Sequence, residues 1–243
     1  MTAHRETLTS RDRVLAALEH RPPDRVPLDL GGNQTGIHRL AYEELLARLG
    51  WQEEVEIMDA VQQLARPSEA VLERLRIDTR YIHAGAAADY CGDIVTQQRD
   101  GRSWHDLIDE WGVRWSMPDD APLYMDITHH PLADATLADM LDYPAPRGDD
   151  PGRFVGLRQR ALQIRQETPY ALISGICGVI YETCWYLRGL ERWFLDMLEQ
   201  PQFCEALLDR TLQYWLDWSA AFMKEVGDLV DVIMIGDDLA GQD

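Results

Sequence analysis

The chain has 243 residues, 46% of them hydrophobic and 27% charged, which suits one large globular core and excludes a disordered or fibrous polymer. Its 42 acidic against 23 basic side chains give a formal charge of −19, which excludes a nucleic-acid binder built on basic surfaces. No apolar run approaches a membrane span and no apolar signal core opens the chain, so a cytoplasmic location is the expectation.

A first helix starts behind Thr9 and Ser10, with Val14, Leu15 and Leu18 on one stripe, and Pro22-Pro23 closes this N-terminal element, residues 1–25. Val26–Leu30 reads as a strand ended by Gly31-Gly32-Asn33. A helix follows over Ile37–Leu49, with Leu40, Leu45, Leu46 and Leu49 inward and Gly50 as its C-cap. Residues 53–76 read as helix interrupted by Pro67, and Ile77–His83 as a second strand. Ile94–Gln97, the Asp100-Gly101 turn and Trp111–Trp115 suggest a β-rich antiparallel insertion near 93–117, inside an insertion and loop region over 86–153. Residues 154–167 return to helix and lead to a third strand, Tyr170–Ser174. Val179–Leu187 and Leu190–Glu199 are helical and Gly189 separates them. Pro201 opens a long helix to Val226, with Phe203, Leu207, Leu208, Leu212, Trp215 and Phe222 on its apolar side. Asp231–Ile235 is the fourth strand.

Apolar strands separated by long helical stretches argue for an α/β fold of right-handed βαβ units with parallel strands. Four barrel-type strands can be counted, whereas a closed barrel needs eight. The expectation is one partial domain over 1–243: a (β/α)₈ TIM barrel, incomplete, holding about the first four βα units and stopping before the barrel closes.

Several segments, in this order, carry a family resemblance. The opening Ser10-Arg-Asp-Arg-Val-Leu-Ala-Ala-Leu-Glu-His-Arg-Pro-Pro-Asp-Arg-Val-Pro-Leu-Asp-Leu-Gly-Gly is joined by Asp109-Glu-Trp-Gly-Val-Arg-Trp, Pro131-Leu-Ala-Asp-Ala-Thr-Leu, Leu187-Arg-Gly-Leu-Glu and Ile233-Met-Ile-Gly-Asp-Asp-Leu-Ala. Together they resemble the uroporphyrinogen decarboxylase superfamily, and within it the branch of corrinoid-dependent methyltransferases. The resemblance implies a TIM barrel of that type and methyl transfer involving a corrinoid protein or cobamide cofactor. Zinc is implied for the full-length enzyme, with a His-x-Cys pair and a later Cys expected past Asp243; none of these cofactors is expected to be retained by this chain. Uroporphyrinogen decarboxylation, a step of porphyrin metabolism, is the alternative enzyme. That branch is similar in an Arg-Gln-Ala-Gly-Arg-Tyr stretch after the first strand, but here Leu30–His38 brings no arginine until Arg39. Its strand-end aspartate falls near Gly85, while Tyr186 lines up with a tyrosine of its site. The other class is an inactive half-barrel that binds or forms a homo-oligomer. A full-length relative is expected to be a methyltransferase or carboxy-lyase, and this fragment alone to be inactive. Its expected partners are a corrinoid protein or a small methyl donor or acceptor, with no nucleic acid and no membrane.

In a barrel the chemistry collects at the C-terminal ends of strands. That rule selects Asp237, Asp238 and Tyr186 as candidate catalytic residues, since adjacent carboxylates with split pKa values serve as acid and base. The competing reading of the pair is an N-cap and a solvated neighbour for a following helix. Asp29, Asn33, His83, Tyr181 and Glu182 are candidate substrate-binding residues. For Asp29 the bland alternative is a salt bridge to Arg25 or Arg39; for His83, a satisfied core histidine; for Glu182, a helix-dipole contact. Cys91, Cys177, Cys184 and Cys204 form no Cys-x-x-Cys pair and read as small buried hydrophobes. No residue is assigned as a metal ligand.

Overall fold

The computed structural model describes residues 6–239. In chain order its elements begin with α1 (Ser10–Leu18), β1 (Ile37–His38), α2 (Arg39–Leu49), β2 (Ile57–Asp59), β3 (Leu64–Ala65), α3 (Glu69–Arg74) and β4 (Thr79–Ile82). Then come β5 (Val95–Arg99), β6 (Arg102–Ile108), β7 (Arg114–Pro118), β8 (Asp126–His129), α4 (Leu137–Asp142) and α5 (Leu157–Glu167). The last are β9 (Ala171–Cys177), α6 (Ile180–Arg188), α7 (Leu190–Glu199), α8 (Pro201–Val226) and β10 (Val232–Ile235). The chain divides into two compact units, one over 1–84, 156–176 and 225–234, the other over 85–155, 177–224 and 235–243.

The first unit is mixed α/β. β4 and β9 pair in parallel, Thr79 opposite Ala171 through Ile82 opposite Ser174, and the sheet order is β10-β9-β4. Among the described residues this sheet has three strands and does not close into a barrel. The expected strand at Val26–Leu30 is extended chain outside any sheet. Pro27 has no N–H to give a ladder, and the Leu28 N–H donates to the Asp78 carboxylate at 2.9 Å instead of to a carbonyl. One backbone bond remains, from Asp78 N to Leu28 O at 2.8 Å. Residues 53–67 are likewise not helix. β3 pairs antiparallel with both β1 and β2, and the Asp59 carboxylate accepts from Gln62 N at 2.9 Å to fix the turn between β2 and β3.

Two buried aspartates hold the entry ends of this sheet. Asp78, immediately before β4, accepts from Arg25 at 2.6 and 2.9 Å and from Arg13 at 2.6 Å. Arg13 lies on α1, fully buried, and reaches Asp24 at 2.6 Å as well. Asp231, immediately before β10, accepts from Arg11 of the same helix at 2.8 Å, from Arg165 of α5 at 2.9 Å and from Leu172 N at 2.9 Å. The buried face of α1 is therefore Arg13, Val14 and Ala16, while Leu18 is exposed. On α2 the core residues are Tyr42 and Leu46, and Leu40 faces out. Tyr42 packs with Leu46, Ala65 and Val71, and its hydroxyl accepts from Ser68 N at 2.9 Å.

The second unit holds the antiparallel sheet β5-β6-β7-β8, which starts at Val95 and runs past the expected insertion to His129. Its core joins Val113, Leu132 and Met140 to Leu187, Trp193, Phe203 and Leu207 from α6, α7 and α8. Pro201 opens α8 as expected, but Leu212 is exposed and Thr211 takes the buried position beside it. Cys177, Cys184 and Cys204 are buried and Cys91 is exposed; all are free thiols. No helix among the described residues is long and apolar enough to cross a membrane.

Burial by itself would raise the Asp78 carboxyl, but hydrogen bonds from Arg25, Leu28 N–H and Arg13 outweigh it and hold it below the usual carboxylate range. A lowered folded pKa means the stabilisation is present above the ordinary carboxylate value of about 3.9 and is lost as pH falls through the folded one. Asp78→Ala is expected to destabilise the fold by about 3–5 kcal/mol, because two guanidinium groups lose their buried partner. Urea unfolding of both forms at neutral pH measures this, and the difference should shrink in acid.

Candidate functional site

The residues singled out from the sequence fall into two groups, one in each unit. In the first unit, Asp29 accepts hydrogen bonds from the hydroxyls of Thr79 and Tyr81, the latter at 2.7 Å. The salt bridge expected as its alternative is absent: Arg25 is taken by Asp78 and Glu6, and Arg39 reaches Glu43 at 3.5 Å. Tyr81 spans the group, stacked on the His83 ring with centroids 5.9 Å apart and 15° between planes. Asn33 donates to Asp59 at 2.9 Å. A side chain at Gly32 would collide with Tyr81, and one at Gly175 would overlap His83, so both backbones must stay bare.

His83 is the most unusual of these groups. Burial, then the charge of Arg66, lowers its pKa, which keeps the imidazole neutral over a wider pH range. Its Nε2 is buried without a hydrogen-bond partner among the described residues. The ring lies on a cavity of about 200 Å³ shared with Leu30, Arg66, Arg80 and Tyr81. Arg80 is held there by Glu69 and by the ring of Tyr170, 3.5 Å from its guanidinium carbon.

In the second unit the group forms where β9 and β10 end. Gly178, at φ 76°, turns the chain from β9 into α6, whose N-terminus has no local side-chain cap. The cap comes instead from Asp237. Its carboxylate accepts from Ile180 N at 3.0 Å, Tyr181 N at 2.6 Å and Glu182 N at 2.9 Å. Three orphan N–H groups and the positive end of the helix are thereby satisfied by one charge. The helix it caps precedes it in sequence, whereas a capping role had been expected toward a following one. The only described residues beyond Asp238 reach Leu239, in irregular chain.

Glu182 and Tyr186 lie one turn apart on α6, and the tyrosine hydroxyl donates to the glutamate at 2.8 Å. Burial raises the Glu182 carboxyl; Tyr186 pulls it down, while the charges of Asp238 and Asp237 and a hydrogen bond with Asp238 push it further up. The net shift is upward. The Tyr186 phenol is raised by burial and then by Glu182, so it acts as a hydrogen-bond donor and not as a base. Trp115 and Trp185 meet the Tyr186 ring edge-on at 5.1 and 4.3 Å, and His130 Nδ1 bonds its carbonyl at 2.7 Å. Tyr181 points elsewhere, against Trp193 and Met197.

Chemically, this is a carboxylate cluster whose exposed member, Asp238, lies beside a carboxyl that binds its proton more tightly, with no cation paired to Glu182, Asp237 or Asp238 among the described residues. Its place near a strand end marks Glu182 in the sequence, while its link to Asp238 has no signature in the spacing. Thr79, Tyr81, Asp59 and Asp78 are not among the residues singled out from the sequence; the unbroken polar run Asp78-Thr79-Arg80-Tyr81 at a strand start is a signal for three of them. Among the described residues no three His, Cys, Asp or Glu side chains converge as a metal site.

No family model matches the chain, and a search of curated proteins finds no match. Among solved structures, a methyltransferase from Methanosarcina mazei is similar to it, at 18% identity and a TM-score of 0.49. The match covers 95% of this chain and 59% of the other, so the chain spans about three fifths of that structure's length.

Removing the distant cap should loosen the start of α6. Asp237→Ala is expected to cost about 1–2 kcal/mol and to speed hydrogen exchange at the amides of Ile180, Tyr181 and Glu182. Unchanged exchange at these three amides would show that the cap is idle.

Proposed function

We propose that this chain works in methyl transfer involving a corrinoid protein or cobamide cofactor, as part of a uroporphyrinogen decarboxylase-like TIM-barrel enzyme. The observation that carries the choice is the acidic strand-end cluster of Glu182, Asp238 and Asp237, which pairs with no cation among the described residues. An octacarboxylate such as uroporphyrinogen needs arginines free to pair with it. Here Arg13, Arg25, Arg39 and Arg80 are each engaged by carboxylates of the chain itself, and the cluster would repel a polyanion. A neutral or cationic methyl donor or acceptor suits it. The corrinoid supplies the centre that takes up or hands over the methyl group.

The residues divide the remaining work. Asp237 spends its carboxylate on the N–H groups of α6 and acts as a positioning residue. Glu182, oriented by Tyr186 and kept protonated to higher pH by burial and by its acidic neighbours, gives a proton to the heteroatom that loses the methyl group, and the exposed Asp238 takes one from a heteroatom that gains it. In the other unit, taken by itself, His83 lines the small cavity and Asp29 bonds Tyr81 of the same lining, and this cavity is proposed to bind polar groups of a small ligand. The residues described here offer no zinc site, so no step is assigned to that metal.

The chain joined to the zinc-ligand segment expected past Asp243, loaded with zinc and incubated with methylcobalamin and 2-mercaptoethanol, is expected to remove the methyl group faster than the protein-free mixture, followed by visible absorbance. Asp238→Asn should slow this by about 100-fold, the low end for a lost group that takes the thiol proton. A rate equal to the protein-free background would overturn the reading, and consumption of uroporphyrinogen would replace it with the decarboxylase.

A further inference from the structure

The second unit carries a larger cavity, of about 450 Å³, that the strand-end cluster does not use. Its size falls in the range of small-molecule sites. Two tyrosine rings wall it, and both are anchored by their hydroxyls: Tyr90 donates to Ile108 O at 2.9 Å and Tyr143 to Trp111 O at 2.8 Å. Gly112, at φ 78°, leaves room for the Tyr143 hydroxyl, which any larger residue would hit. Pro144 and Pro146 add rigid apolar surface.

The polar part of the wall is negative. Asp109 is fixed by the N–H groups of Trp111, Val113 and Trp115 at 2.9–3.0 Å. Asp150 is fixed by Ala88 N at 2.9 Å and Gly152 N at 2.8 Å. Asp89 lies exposed on the rim, and Glu110 is backed by Arg153. The basic lining residue, Arg147, pairs with Asp149 at 3.1 Å. Burial, with a smaller push from the Glu110 charge, raises the Asp109 carboxyl despite its three donors. These carboxylates are spread around the space and do not converge: no three of the described acidic, His or Cys groups could hold one metal ion. Preorganised aromatic faces with dispersed acidic groups suit a bulky cation of low charge density better than a compact one.

We propose that this cavity binds a small organic cation bearing alkyl groups, an alkylammonium compound, between Tyr90 and Tyr143, with Asp89 and Asp109 facing its charge. The site stands on its own geometry and does not depend on the methyl-transfer reading.

Titration calorimetry of the 243-residue chain with choline tests it, with dimethylbutanol, the uncharged carbon isostere of choline, as the control. Choline is expected to bind at least about tenfold more tightly than the isostere, the ratio a cation–aromatic contact in a partly dry site supports. Asp89→Asn, at an exposed position that leaves the fold intact, should weaken choline severalfold, and Tyr90→Leu should weaken it about tenfold. Equal binding of the isostere, absence of choline binding, or calcium binding that excludes choline would each overturn the proposal. So would choline affinity unchanged in both variants while circular dichroism stays native.

Discussion

Asp78 and Asp231 are the constraint on which the first unit depends. Each is a buried carboxylate placed one residue before a strand, each takes two arginines, and each accepts from the backbone N–H of a neighbouring segment. Arg11 and Arg13 both come from α1, so one nine-residue helix serves both aspartates. Buried charges of this kind repay their desolvation only when every oxygen is engaged, and here the backbone donors complete the set. The consequence is a sheet whose entry ends are pinned by ionic bonds. In parallel α/β folds the entry ends carry stability and the exit ends carry chemistry.

At the exit side of β9 and β10 one carboxylate is structural and its neighbour is exposed. One aspartate of the Asp237-Asp238 pair is consumed as the cap of α6, which fixes the helix that presents Glu182 and Tyr186. The other is left exposed next to a glutamate whose proton is held more tightly than usual. Two adjacent residues of the same type thus have different work because one meets three N–H groups and the other meets solvent. A carboxylate that must cap cannot also exchange protons without releasing the helix it holds.

How much of this was legible in the sequence follows from range. The α7 and α8 boundaries were readable because Gly189 and Pro201 punctuate an apolar periodicity that needs no distant partner. The apolar runs at 171–174 and 232–235 gave β9 and β10 for the same reason. Residues 26–30 have the composition of a strand, yet Pro27 and the demand of the Asp78 carboxylate for Leu28 N–H keep them out of the ladder. Residues 53–67 read as helix in the sequence, but the Asp59 turn and the pairing of β3 with β1 and β2 hold them extended. The candidate site was legible in position and opaque in role. Strand-end location selected Glu182, Tyr186, Asp237 and Asp238, but the cap spans more than fifty residues, and no local pattern reports it. The same holds for Asp29, whose hydroxyl partners Thr79 and Tyr81 stand on a separate strand.

The central claim is that Glu182 holds its proton more tightly than an ordinary glutamate because it is half-buried beside two other carboxylates. Carboxyl carbon NMR of the chain, with Glu182 assigned through Glu182→Gln, reads its titration directly. A midpoint clearly above the ordinary glutamate value of about 4.3, falling when Asp238 is replaced by Asn, is the expected result. A midpoint at or below that value, unmoved by the Asp238 change, would contradict the division of labour between these residues and remove the basis for proton transfer at the ends of β9 and β10.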